Sequence, residues 1–136
     1  GATVHCHREG LHEFTAGQPV EPFEHGDTLA GGIQALPVGV LCPEETAFFI
    51  PRQEGALALG DAVIRWPADG PLGFVPDEYM GDAPDAKKAG LRVSLAQLLD
   101  RDFEHLLLAH GGPLLVDGRS ALQEFLDVEG MRRADR

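Results

Sequence analysis

Two residues in this sequence could do chemistry from the ends of apolar runs. His110 closes "HLLLAH" and is followed at once by Gly111 and Gly112, and Asp61 closes "GALALGD". An imidazole and a carboxylate are the side chains that bind divalent metals and move protons near neutral pH. Strand ends suit that work, because a sheet holds the ligand geometry while the loops beyond it admit substrate. His110 also reads as a hydrogen-bonded cap before a turn, and Asp61 as a plain turn residue.

Other chemistry-bearing groups have simpler readings beside the functional one. His5 and His7 alternate in "HCH", which puts both on one face of a strand with a spacing that permits chelation. Cys42 has no base beside it and reads as a small buried hydrophobe. Glu44 and Glu45 read as a solvated turn. Trp66 and Phe74 flank a segment able to form a pocket, or they pack in the core. The chain contains no G-x-x-x-x-G-K-[ST], G-x-G-x-x-G or G-x-S-x-G. "AHGGP" has the look of an oxyanion-hole motif, but no serine elbow accompanies it.

Local pattern sets out the elements that must hold these residues. "ATVHCH" reads as a short strand, and "LHEFTAGQPVEPFEHGDTLAGG" mostly as loop, because Gly and Pro punctuate it. "GGIQALPVGV" reads as a strand interrupted at Pro37. "TAFFIP" and "GALALGDAVIRW" form a hairpin across "PRQEG". Residues 67–92 read as one long loop. Ser94 is expected to cap a helix over about 94–101, with Leu95, Leu98 and Leu99 on one face. "HLLLAH" reads as a buried strand. A second helix is expected over about 119–128, starting at Asp117 or Gly118 and stopping at Gly130. The expected class is α/β (α+β): one domain over residues 1–136, with a mixed, mostly antiparallel sheet and helices on one face.

Composition narrows the function. The 136 residues carry 22 acidic against 11 basic side chains, a net charge of −11. That balance argues against nucleic acid, whose phosphates demand clustered Lys and Arg. The basic cluster of Arg132, Arg133 and Arg136 sits at the C-terminus. No apolar run approaches the ~20 residues that span a bilayer, so no membrane partner is expected. The first residues show no basic stretch leading into an apolar one. Cys6 and Cys42 then read as free thiols of a cytoplasmic protein.

The order of these pieces resembles the C-terminal half of metallo-β-lactamase-fold hydrolases. There too a hairpin, a "GD" at a strand end, an "SL" opening a helix, a strand ending in "HG" and a last helix follow in turn. The matching pieces are "GALALGDAVIRW", "VSLAQLLDRDFEHLLLAHGGPLLVDG" and "RSALQEFL". Upstream, "FEHGDTLAGGIQALPVG" looks like the family's "dGd" strand pair. The resemblance covers roughly residues 20–127. It implies half of an αββα sandwich, with zinc as the possible cofactor and an ester, thioester, amide or phosphoester as substrate. Carried over by position, Asp61 matches the family's bridging aspartate and His110 its last metal-binding histidine. These two are the expected catalytic and metal-binding residues, and the family arrangement implies that their side chains lie within roughly 10 Å of each other, about two strand spacings, at one sheet edge.

Two family features are missing from the sequence. The ligand motif H-x-H-x-D-H does not occur; "HCHREGLH" offers His5, His7 and His12 without an Asp-His pair. Where the family has a "GHTPG"-like turn, this chain has Leu41-Cys42-Pro43-Glu44-Glu45. Leu41 cannot bind a metal, and Cys42, Glu44 or Glu45 could do so only in a shifted register. Two readings follow. One is a metal-dependent hydrolase relative or fragment with a depleted site, acting on a small-molecule substrate if its missing ligands come from elsewhere. The other is a non-catalytic binding or assembly module that keeps the fold. Strands with two apolar faces also predict cover for the sheet face opposite the helices, from a homo-oligomer, from the missing N-terminal half or from residues 1–30 folding back.

Overall fold

A computed structural model describes residues 1–134. In chain order the strands are β1 (His5–His7), β2 (Glu21–Phe23), β3 (Gln34–Pro37), β4 (Thr46–Ile50), β5 (Ala56–Leu59), β6 (Val63–Arg65), β7 (Leu72–Phe74) and β8 (His105–Leu108). The α-helices are α1 (Pro84–Leu98) and α2 (Gly118–Ala134). The main sheet has the order β3-β4-β5-β8, antiparallel except for the parallel β5–β8 pair. A parallel neighbour requires a crossover, and α1 lies in the connection from β5 to β8. The architecture is therefore α+β with a mixed sheet, as expected.

Strand alternation decides the core. Ala47, Phe49, Leu57, Leu59 and Leu106 turn to one face and are buried there with Leu91, Leu95 and Leu98 of α1 and Leu122 and Leu126 of α2. Leu57, Leu91, Leu95, Leu106 and Leu122 are among the largest fully buried side chains. Truncating one of these leucines to Ala would cost about 2–5 kcal/mol. Both helices cover the same face.

Several boundaries differ from expectation. The first helix begins at Pro84, ten residues before Ser94, which sits inside it. Pro suits the first helical position because its φ is already helical and its missing N–H has no helical partner. "PDAKKAG" carries too little apolar periodicity to announce itself. Residues 67–92 are consequently not one long loop: they hold β7, a 3-10 turn at Asp77–Tyr79 and the first turns of α1. "GALALGDAVIRW" breaks at Gly60-Asp61, and β6 leaves the main sheet to pair with β7. The second helix starts at Gly118 as expected but continues through Gly130. A side chain there would meet Arg92, whose Nη2 lies 2.5 Å from where a Cβ would stand. The expected N-terminal loop contains β2, paired in parallel with β1. Arg136 lies outside the described residues.

The sheet face away from the helices is covered in part by the N-terminal segment. The Phe23 ring packs edge-on against Phe48 with centroids 5.7 Å apart, and Gly26 N–H donates to the Ala35 carbonyl at 2.7 Å. Ile50, Ala56, Ala58 and Leu107 stay half-buried on that face. A histidine stack fastens the segment: the buried His7 ring lies 4.1 Å from that of His25. His7 Nδ1 accepts from the Glu9 N–H at 3.2 Å. Thr46 Oγ1 donates to the Glu44 carbonyl, so His25 Nε2, 3.1 Å from that hydroxyl, is the donor in their bond. Burial, then the neighbouring His7, pushes the His25 imidazole below its ordinary pKa, against opposing pulls from the Glu45 backbone and Glu24.

A group held neutral in the fold takes up its proton first in the unfolded chain. Its contribution is full above the ordinary imidazole pKa, about 6.5, and is lost as pH falls from there through the lower folded value. Urea denaturation at pH 7 and pH 5 checks this. The wild-type midpoint should drop more on acidification than that of His25→Phe, which keeps the ring stack without the titration. Equal drops would remove His25 as the cause.

Candidate functional site

The parallel ladder between β5 and β8 builds the candidate site. Leu59 pairs with Leu108, so the two strands end side by side. Ala109 N–H donates to the Leu59 carbonyl at 3.2 Å and carries the pairing one residue further. His110 follows on one chain segment and Asp61 on the other. Their side chains meet, with His110 Nε2 3.0 Å from Asp61 Oδ1. The expected proximity is thus realised as direct contact. Both side chains are about two-thirds exposed, at 63% and 66%, so the pair itself adds little stability.

The Gly-Gly turn after His110 has a packing cause. The β6–β7 hairpin folds against it, with Arg65 N–H donating to the His110 carbonyl at 3.0 Å. The Arg65 side chain then donates to the carbonyls of Gly70 at 2.7 Å and Gly112 at 3.1 Å. Gly111 has φ +97°, and a Cβ there would overlap the Arg65 carbonyl oxygen. Only glycine lets the end of β8 press so closely on the hairpin. The motif positions His110.

A groove of about 700 Å³ opens over the pair. Trp66 and Tyr79, 82% and 71% exposed, stand on its walls, while Leu41, Ile64 and Val75 add apolar lining and Glu78 a second carboxylate. Trp66 thus belongs to the groove. Phe74 does not: its ring packs against Phe125 at 4.8 Å.

Glu45, read as part of a solvated turn, is half-buried. Its Oε2 accepts from the Leu41 N–H at 3.3 Å, and its Oε1 is buried with no partner. Burial raises its carboxyl pKa and the charge of Asp61 adds to that, against the N–H groups of Leu41, Ala62 and Val40. Nothing in "CPEET" signals this; only the fold brings the side chain towards the Asp61 turn. Glu44 faces the two thiols instead. Burial, then Glu44, raises the pKa of both Cys6 and Cys42, which disfavours the nucleophilic thiolate. Both cysteines are free.

The remaining histidines are engaged elsewhere. His5 Nδ1 lies 3.9 Å from Glu21, and His7 Nε2 lies 3.9 Å from Glu24. Among the described residues, no three His, Cys, Asp or Glu side chains converge to hold a metal ion. Catalytic zinc sites use three protein ligands and structural ones four. Asp61 and His110 supply two, so the donor set does not fit zinc on these residues alone. No helix among the described residues is long and apolar enough to cross a membrane.

No family model and no curated protein matches the chain's sequence. Solved structures do match. A metallo-beta-lactamase family protein from Thermus thermophilus superposes with a TM-score of 0.60 at 18% identity, over 97% of this chain and 54% of its own. A metallo-beta-lactamase from Pontibacter korlensis gives 0.59 at 19%, over 93% and 57%. The chemotaxis sensor ODP, in a peroxy diiron species, gives 0.64 at 12%, over 92% and 59%. At these identities the likeness is one of fold. The chain adopts part of a metallo-β-lactamase fold and spans 54–59% of the length of these three proteins.

Two substitutions check how the site is held. Gly111→Ala should destabilise the fold by about 2 kcal/mol or more through its positive φ and the clash with Arg65, read as a urea midpoint shift. A neutral result would mean that the turn relaxes freely. Glu45→Gln removes a carboxyl whose pKa the fold raises. Such a group favours folding below its ordinary pKa and loses that contribution as pH rises through the folded value. Glu45→Gln should therefore raise the melting temperature by a few degrees at pH 7 and leave it unchanged near pH 4. No gain at pH 7 would place the carboxyl in a better-solvated setting.

Proposed function

We propose that this chain is a non-catalytic binding module with part of a metallo-β-lactamase fold, taking a small polar molecule into the groove over Asp61 and His110. One observation carries the reading: the two side chains lie 3.0 Å apart, and no group of three metal donors forms among the described residues. Asp61 and Glu78 offer acceptors, the His110 imidazole an orientable polar group, and Trp66 and Tyr79 exposed apolar faces. Such a combination of aromatic walls and a few placed polar groups is typical of small-molecule sites. The free thiols of Cys6 and Cys42 support a reducing compartment such as the cytoplasm.

A second reading rests on the span of the chain, just over half of the metallo-β-lactamase structures it matches. In it, Asp61 and His110 complete a metal-dependent hydrolase whose other ligands come from a different segment or chain. The half-covered Ile50 and Leu107 support a partner on that sheet face, and a second copy of the chain is the partner this reading takes. Sedimentation as a monomer at every concentration would count against that assembly.

Elemental analysis of the purified chain, followed by calorimetric titration with zinc, separates the two functions. The module reading expects no stoichiometric metal and only weak heats. One equivalent of zinc per chain, lost in both Asp61→Asn and His110→Gln, would replace it with the hydrolase reading. For the groove itself, a screen of small polar molecules should move the Trp66 indole and His110 ring signals together in NMR spectra. A screen that moves neither would count against ligand binding there.

A further inference from the structure

A second groove of about 330 Å³ lies on another side of the molecule, walled by β7, α1 and α2. Its charge is unusual for this chain. Of only 11 basic residues in a protein with net charge −11, three line this one groove: Lys88 and Arg92 from α1 and Arg132 from α2. Lys88 Nζ is 2.5 Å from Asp77, and Arg132 is 2.8 Å from Glu129. The third carboxylate of the groove, Asp85, sits in the first turn of α1, where the positive end of the helix dipole favours it. Arg92 has no carboxylate partner and no hydrogen bond to any described residue, and its Nε is buried without an acceptor.

A buried donor on a charged group left without a partner is costly, and native structures rarely leave one so. The Arg92 guanidinium lies against α2. It occupies the gap left by the missing side chain of Gly130, with Nη2 2.5 Å and Cζ 3.3 Å from where that Cβ would be. Arg132 is 68% exposed, so its bond to Glu129 is weak and can be exchanged for a stronger acceptor. Phe74, fixed by its contact with Phe125, gives the groove an apolar side.

We propose that this groove binds a small molecule through an oxyanion, a phosphate or a carboxylate, held by Arg92 and supported by Arg132. A guanidinium presents paired N–H donors to such a group. The site is separate from the Asp61–His110 pair and does not depend on whether that pair binds metal.

The test follows the Arg92 Nε–Hε signal of the ¹⁵N-labelled full chain during titration with sodium phosphate, and separately with sodium acetate, at ionic strength matched by sodium chloride. A saturable shift with either anion, and not with chloride, is expected. Saturation at lower phosphate concentration assigns a phosphoryl ligand, and saturation at lower acetate concentration a carboxylate. Arg92→Met keeps the aliphatic packing and should weaken the apparent affinity, followed at the Gly130 amide, by about tenfold or more, the loss of one charge-assisted hydrogen bond. No saturable shift with either anion overturns the proposal, as does unchanged affinity in Arg92→Met. If that variant does not fold, the wild-type titration decides alone.

Discussion

The parallel pairing of β5 with β8 is the constraint on which the rest of the structure depends. Leu57 opposite Leu106 is fully buried on both strands, and the register leaves no freedom at their ends. A slip of one residue would turn the leucines out of the core and move His110 away from Asp61. α1 makes the pairing possible by carrying the chain back to the start of the sheet. α2 then closes over the same core through Leu122 and Leu126. The exposed polar pair is therefore held in place by apolar burial beneath it rather than by its own attraction.

That division explains what was readable in advance. Apolar runs ending in Asp61 and His110 announce two strands and the chemistry at their ends, and adjacent pairing of those strands is enough to bring the residues together. The hairpin of "TAFFIP" with "ALAL" is equally plain, because its register follows from a short Pro- and Gly-containing loop. What stayed hidden depends on contacts distant in sequence. α1 starts at Pro84 because its buried leucines come late, at Leu91, Leu95 and Leu98, so the first two turns look like loop. Gly130 resembles a helix stop, yet α2 runs through it with the Arg92 guanidinium beside it. Glu45 looks like a solvated turn residue until the turn is folded against Asp61.

The candidate site sits on a fold shared with metallo-β-lactamase structures. A metallo-β-lactamase-like arrangement of strand ends remains, and His110 with Asp61 occupies it. Leu41 lines the groove over the pair, and burial holds the carboxyl of Glu45 above its ordinary pKa.

The central proposal is that Asp61 and His110 hold no metal on this chain alone. It is tested most directly by a crystal structure of this chain grown with excess zinc, with anomalous data collected at the zinc edge. His110 Nε2 should remain on Asp61, with no anomalous peak between them. A zinc peak held by both side chains and a third donor from the same chain would contradict the claim.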